Sequence, residues 1–195
     1  MSAPTVIIIP GWRNSGPGHW QTLWSDALPS VLRVEQDDWV APLRKSWVAR
    51  LSETIARAPG PVIVVAHSLG CITATHLPPE VAQRIQGALL VAPADPERRG
   101  VLADFAPVPH QRLPYRSILV ASGNDPYCPV RTAGAYARAW GSEFVRLNDA
   151  GHINVESGHG NWPLGLALLQ SLGAEVPSSL RLAEPVVAPA YAQVE

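Results

Sequence analysis

The stretch that decides the fold is Pro61-Val62-Ile63-Val64-Val65-Ala66-His67-Ser68-Leu69-Gly70. Its first half is an unbroken apolar run, which is typical of a strand buried on both faces of a parallel sheet. Its second half places Ser68 between two small residues, Ala66 and Gly70, just before a segment with a helical pattern. A sharp strand-to-helix turn needs such neighbours, because larger side chains two positions from the serine would collide. The sequence therefore predicts that the Ser68 hydroxyl projects into a cleft at the end of a strand.

Apolar runs of the same kind recur along the chain and alternate with helical patterns. Strong strand candidates cover residues 5–9, 62–65, 87–91 and 117–120, and weaker ones cover 31–34 and 143–147. Helices are predicted over residues 20–28, 44–57, 69–76, 130–140 and 161–172. Because strands and helices alternate, the sequence predicts an α/β fold with a doubly wound, mostly parallel sheet. Ligands of such folds bind beyond the carboxyl ends of the strands.

The chain is long enough to bury one sizeable core. It has 195 residues, of which 47% are hydrophobic and 16% are charged, so we expect a single domain over residues 1–175. The proline-rich segment 93–114 is too short to fold as a cap domain, which predicts a partly open cleft. Residues 176–195 have no clear hydrophobic period and are predicted to form a C-terminal tail outside the core.

Charge and cysteine content exclude several classes of partner and site. The formal net charge is −1 and no basic run is longer than a pair of residues, so neither nucleic acid nor an anionic membrane is an expected partner. The only cysteines, Cys71 and Cys128, have neither disulfide nor metal-site spacing, and no cofactor or metal is predicted. The first apolar stretch stops at Pro10, which is too early for a signal peptide or a membrane span, so a cytoplasmic protein is expected.

Ser68 becomes a nucleophile only if a base takes its proton and an acid orients that base. The loop after strand candidate 117–120 contains Asp125, and the loop after 143–147 contains His152. The two residues therefore follow separate strands in the order serine, acid, histidine. We predict that Ser68 attacks a carbonyl carbon, that His152 accepts and returns the proton, and that Asp125 orients His152.

Other residues compete for the same two roles. Asp95, at the end of an earlier strand, is the alternative acid, and Asp125 could be only a turn former between Asn124 and Pro126. His159 is the alternative base, although His152 lies closer to the last predicted strand.

Acyl transfer also needs hydrogen-bond donors for the negative charge that develops on the carbonyl oxygen. The backbone N–H of Leu69, directly after the serine, is one predicted donor. The other is the backbone N–H of Trp12. The glycines of its loop would let the backbone approach a substrate closely. The alternative is that these glycines only shape a turn. His19 and His67 are expected to line the pocket as packing or hydrogen-bonding residues.

Separate motifs along the chain together resemble a known family. They are Pro10-Gly11-Trp12 with Ser15-Gly16-Pro17 and His19-Trp20-Gln21, then Ala66-His67-Ser68-Leu69-Gly70, then Gly123-Asn124-Asp125-Pro126, then Gly151-His152-Ile153-Asn154. Over residues 5–172 the chain is similar to the small α/β-hydrolases that include the YdeN-type and retinoblastoma-binding serine hydrolases. The resemblance implies a six-stranded α/β-hydrolase sheet without a cap domain, and a triad of Ser68, Asp125 and His152. Esterase-like and peptidase-like members both occur, so the resemblance implies a mechanism rather than a metabolite.

The sequence thus predicts a serine hydrolase that cleaves an ester, thioester or amide of a small molecule through an acyl-enzyme intermediate. An acidic residue in the pocket would favour a substrate that carries an amine, and Asp95 and Glu156 are the candidates. The alternative is a non-catalytic binding module that keeps the hydrolase fold and presents its tryptophan-rich loop or its C-terminal tail to a protein partner.

Overall fold

The computed structural model describes residues 3–181 and contains one six-stranded sheet. The strands are β1 (Thr5–Ile9), β2 (Val31–Arg33), β3 (Val62–His67), β4 (Ile85–Val91), β5 (Arg116–Ser122) and β6 (Glu143–Leu147). Their order across the sheet is β2-β1-β3-β4-β5-β6. All six predicted strands are confirmed, and the sheet is parallel at every pairing rather than only mostly parallel.

Helices pack on the sheet and connect its strands. They are α1 (Trp20–Ala27), α2 (Arg44–Arg57), α3 (Leu69–Thr75), α4 (Pro79–Ala82), α5 (Val130–Trp140), α6 (Pro163–Ser171) and α7 (Ser178–Arg181). The predicted helices are confirmed, whereas α4 and α7 are single turns, too short for a hydrophobic period to reveal. Segment 93–114 forms short 3₁₀ helices over Pro96–Arg98 and Gly100–Phe105, and within residues 3–181 no cap domain covers the sheet edge.

Alternating side chains of the central strands build a core on each face of the sheet. Ile7 and Val64 belong to the cluster that includes α2, α3 and α5, whereas Ile8 and Val65 belong to the cluster that includes α1 and α6. Burial on both faces explains why these strands have unbroken apolar sequences. The tryptophans that are almost fully buried in the two clusters are Trp20, Trp24, Trp47 and Trp140.

The boundary between domain and tail stays a prediction. Val176, the first residue of the predicted tail, is buried in the cluster that contains α1 and α6, and Leu180 packs against the same cluster. Residues 182–195 of that tail lie outside the described residues. No helix in the described range is both long and apolar enough to cross a membrane.

The strand order fixes where a site can form. β1 lies between β2 and β3, so the chain leaves β1 toward one edge of the sheet and later returns on the other side of β1. Crevices form where strand order reverses in this way, beyond the carboxyl ends of the strands. The loops after β1 and β3 therefore meet at one place.

Candidate active site

Ser68 occupies a strained turn between β3 and α3. Its backbone has φ 54° and ψ −119°, a positive φ that non-glycine residues rarely adopt. Hydrogen bonds hold the turn, because the Ser68 N–H donates to the Val91 carbonyl at 3.0 Å and the Ser68 carbonyl accepts from the Ala94 N–H at 3.2 Å. The strain is therefore fixed by the neighbouring strand and by the loop that follows it.

Two glycines allow the loop after β1 to press against this turn. A Cβ added to Gly11 would lie 2.7 Å from the Ser68 Cβ. A Cβ added to Gly70 would overlap the Ile9 carbonyl oxygen and lie 2.9 Å from that of Pro10. Both distances are too short for a side chain, so the small residue predicted two positions after the serine is required by close backbone packing.

Asp125 and His152 lie in direct contact. The two Asp125 carboxylate oxygens are 3.0 and 2.9 Å from His152 Nδ1, and the side chains are only 2% and 9% exposed. Asp125 Oδ1 also accepts the Tyr127 N–H at 2.8 Å, which fixes the carboxylate from its own loop. Because a carboxylate only accepts, it favours the imidazole tautomer with the proton on Nδ1 and leaves Nε2 free to accept a proton.

Ser68 and His152 line the same cavity, whose volume is about 310 Å³. The structure records no hydrogen bond between the Ser68 hydroxyl and the His152 ring within residues 3–181. Catalytic hydrogen bonds are often long before a substrate binds and tighten in the complex. The predicted nucleophile, base and acid thus lie at one edge of the sheet, with the base–acid contact already formed.

A small hydrogen-bond network joins the loop of the acid to the loop of the histidine. The Ser122 hydroxyl accepts the Ala150 N–H at 3.0 Å, and Asn124 Oδ1 accepts the Gly151 N–H at 2.7 Å. The Ser122 hydroxyl in turn donates to Asn124 Oδ1 at 2.7 Å. The sequence gives no signal for these contacts, through which Ser122 and Asn124 fix the position of the histidine loop.

The His67 ring holds the backbone of His152 through a hydrogen bond. Its Nε2 lies 2.9 Å from the His152 carbonyl oxygen, which can only accept, so His67 Nε2 carries the proton. Burial lowers the pKa of His67 well below its usual value and keeps the ring neutral. His19 caps α1 through its Nδ1, which accepts the Gln21 N–H at 3.1 Å, and its ring centre lies 4.9 Å from that of His67. Both rings therefore have the hydrogen-bonding roles expected from the sequence.

The predicted oxyanion donors lie beside Ser68. Leu69 is the first residue of α3, and Trp12 lines the cavity. Neither backbone N–H pairs with a backbone carbonyl anywhere in the described part of the chain. The role of both N–H groups as oxyanion donors stays a prediction.

Asp95 and His159, the alternative acid and base, have other hydrogen-bond partners than Asp125 and His152. Asp95 lines the cavity, but its Oδ1 accepts the Glu97 N–H at 3.3 Å and caps a 3₁₀ helix. His159 contacts Ser157, with Nδ1 3.2 Å from the hydroxyl. Asp95 is not hydrogen-bonded to His152 among residues 3–181, so the geometry favours Asp125 as its partner. His159 is not among the residues that line the cavity with Ser68, so the geometry favours His152 as the base.

Neither cysteine is suited to act as a nucleophile in place of Ser68. Burial raises the pKa of the Cys71 thiol, and it raises the pKa of Cys128 to about 12. Both thiols are therefore protonated near neutral pH and are poor nucleophiles. Within the described residues, no group of histidine, cysteine and acidic side chains is arranged to hold a metal ion.

Comparisons with known proteins identify the family and the fold. A family model described as serine hydrolase matches residues 6–171. A solved structure described as a YdeN-like hydrolase from Pectobacterium atrosepticum is 33% identical, with a TM-score of 0.80 over 88% of this chain and 91% of that chain. A search of the curated proteins found no match.

More distant structures share the fold. The ydeN gene product from B. subtilis is 21% identical, with a TM-score of 0.74 over 87% of this chain and 98% of that chain. Est1E from Butyrivibrio proteoclasticus, with ferulic acid bound, is 12% identical, with a TM-score of 0.65 over 88% of this chain and 87% of that chain. At these identities the likeness extends to the architecture alone.

Proposed function

Because this chain belongs to the serine hydrolase family and has the α/β-hydrolase fold of its YdeN-like relative, we propose that it hydrolyses an ester, thioester or amide of a small molecule through an acyl-enzyme intermediate. Ser68 is the nucleophile, His152 the general base and acid, and Asp125 the orienting carboxylate. The observation that carries the proposal is the 2.9 Å contact between the buried Asp125 carboxylate and Nδ1 of His152, which lines the same cavity as the strained Ser68.

In the first step Ser68 Oγ attacks the substrate carbonyl carbon while its proton moves to His152 Nε2. The imidazolium that forms is stabilised by Asp125, to which Nδ1–H donates. The carbonyl oxygen becomes an oxyanion, and the backbone N–H groups of Trp12 and Leu69 donate to it. Collapse of this intermediate breaks the bond to the leaving group, which takes the proton from Nε2 and departs as an alcohol, thiol or amine.

In the second step a water molecule replaces the leaving group. His152 accepts a proton from the water, whose oxygen attacks the acyl carbon. Collapse of the second oxyanion breaks the bond to Ser68 Oγ, which takes back its proton and releases a carboxylic acid. Each oxyanion donor is expected to supply about 3 to 4 kcal/mol of transition-state stabilisation.

The cavity limits the size of the substrate. Its volume of about 310 Å³ lies at the lower end of the range for small-molecule sites, which is about 300 to 1,000 Å³. A short acyl group with a compact leaving group fits this space better than a folded polypeptide.

A fluorophosphonate probe tests the proposal, because it phosphonylates a serine only when a base activates the hydroxyl. The wild-type protein is expected to be labelled, and the Ser68→Ala variant is not. Ser157 is hydrogen-bonded to Asn154 in a 3₁₀ helix and provides a matched control. The Ser157→Ala variant should be labelled like the wild type. A folded wild-type protein that resists the probe would favour the non-catalytic binding module.

A further inference from the structure

Two arginines form part of the cavity that contains Ser68. Arg13 and Arg99 both line it. The Arg99 guanidinium carbon lies 4.3 Å from the ring centre of Tyr127 and 5.8 Å from that of Trp12. The Arg13 guanidinium carbon lies 4.4 Å from the same Trp12 ring. Both guanidinium groups therefore lie where aromatic rings border the candidate active site.

Aromatic contacts position these guanidinium groups without neutralising them. A ring face is attracted to the flat face of a guanidinium and leaves the N–H groups at its edge available. Within residues 3–181 neither Arg13 nor Arg99 makes an ion pair or a side-chain hydrogen bond. Elsewhere, Arg50 pairs with Asp37, and Arg116 pairs with Glu143 at 2.8 Å.

Of the two arginines, Arg99 is the better placed to bind a group of the substrate in the cavity. It is half-buried, whereas Arg13 is exposed. Its backbone lies between the two 3₁₀ helices of segment 93–114, because Arg99 is the last cap of one helix and the first cap of the next. The Tyr127 ring beneath its guanidinium is itself 4.3 Å from the His152 ring, measured between ring centres. The guanidinium therefore lies one aromatic ring away from the proposed base.

The acidic residues of the cavity are less suited than the arginines to bind a charged group of a ligand. Asp95 already accepts the Glu97 N–H, and Glu156 is exposed on a 3₁₀ helix. Neither carboxylate is within ion-pair distance of Arg13 or Arg99 in the described structure. The cationic groups are thus held by aromatic rings with their donors unused, which favours an anion as their ligand.

We propose that Arg99, assisted by Arg13, binds a carboxylate carried by the substrate, so that the enzyme acts on anionic rather than neutral or cationic esters, thioesters or amides. The inference rests on the proposed function and names Arg99 as the residue that determines specificity. A planar carboxylate can accept parallel N–H groups from the edge of the guanidinium. A charge-assisted contact of this kind is expected to raise kcat/KM for the anionic substrate by about 10- to 100-fold.

A matched set of p-nitrophenyl esters tests the inference: the hexanoate is neutral, the monoadipate is anionic and the ε-aminohexanoate is cationic, with the same acyl chain length. The rate of the Ser68→Ala variant is subtracted as background. The wild type should prefer the monoadipate over the hexanoate by about tenfold or more in kcat/KM. In Arg99→Gln this ratio should fall to near unity. Arg98→Gln, which changes the preceding exposed arginine outside the cavity lining, should keep the wild-type ratio.

Each other outcome overturns the inference. A wild-type enzyme that hydrolyses the hexanoate at least as well as the monoadipate has no anion preference, yet remains a hydrolase. A preference for the ε-aminohexanoate would assign recognition to Asp95 or Glu156. No turnover of any of the esters would remove the proposed function as well. A folded Arg99→Gln variant that keeps the wild-type ratio would show that another residue binds the carboxylate. The wild-type comparison does not depend on any variant, so a missing anion preference overturns the inference even if Arg99→Gln fails to fold.

Discussion

Replacing Asp125 by asparagine should abolish most of the activity while the fold is retained. Asparagine has nearly the same shape, and its Oδ1 can still accept the Tyr127 N–H that Asp125 accepts at 2.8 Å. The amide nitrogen then takes the position of the carboxylate oxygen that lies 2.9 Å from His152 Nδ1. This nitrogen donates toward Nδ1 and favours the imidazole tautomer with the proton on Nε2. The remaining Oδ1, 3.0 Å from Nδ1, is a neutral and weaker acceptor that already accepts the Tyr127 N–H.

That tautomer cannot accept the proton of Ser68. In addition, an imidazolium formed in the transition state would face a neutral amide in a site where both side chains are almost fully buried. A change of tautomer at this position of a serine hydrolase costs a factor of about 10⁴ in kcat, which corresponds to about 5 kcal/mol of activation free energy. KM should change little, because Asp125 is not expected to touch the substrate.

The assay is the steady-state hydrolysis of p-nitrophenyl acetate, measured beside the thermal unfolding midpoint of the same preparation. Asp95→Asn is the matched control, since Asp95 lines the same cavity but caps a 3₁₀ helix instead of contacting His152. An Asp125→Asn variant that retains kcat within about tenfold of the wild type would contradict the orienting role of Asp125. A large loss in Asp95→Asn instead would transfer the role of the acid to Asp95.

Further predictions concern the close packing, the helix ends and the buried imidazoles. Gly70→Ala should lower the free energy of unfolding in urea by about 1 to 3 kcal/mol, because its Cβ would overlap the Ile9 carbonyl. The control Gly16→Ala, which has open space around the added Cβ, should change stability little. Arg84→Met should cost about 2 to 3 kcal/mol, because the guanidinium donates to four carbonyl groups at and after the end of α2; a loss below about 0.5 kcal/mol would contradict this. Burial, and then the charge of Arg33, lowers the pKa of His19 to about 4. Protonation of His19 therefore favours the unfolded state. The free energy of unfolding should fall by about 3 kcal/mol from this group as the pH falls from about 6.5 to about 4. His19→Asn keeps an acceptor for the start of α1 and should flatten this pH dependence, and an unchanged slope would argue against it.

Much of the site could be predicted because its parts are local in sequence. Ser68 and Asp125 each follow a strand with a clear apolar run, whereas His152 follows the weaker candidate 143–147. A parallel sheet brings the carboxyl ends of all these strands to one edge. The turn at Ser68 also needs small neighbours, so its position is readable from the sequence. Local pattern and topology together were sufficient to bring these residues together.

The supporting contacts could not be predicted because they join distant residues. His67 meets the His152 carbonyl across 85 residues of chain, and the Ser122 hydroxyl meets the Ala150 N–H across 28. No periodicity or short motif reports such pairs. Arg99 lies in segment 93–114, where irregular backbone leaves the direction of each side chain undetermined until the packing is known.

The formation of a covalent intermediate on Ser68 is the central claim, and mass spectrometry of the rapidly quenched protein tests it directly. After brief mixing with p-nitrophenyl acetate, the wild type should carry one acetyl group on the peptide that contains Ser68, and Ser68→Ala should carry none there and should turn over no substrate. Turnover that persists in Ser68→Ala, or an acetyl group found on another residue of a functional enzyme, would contradict the account.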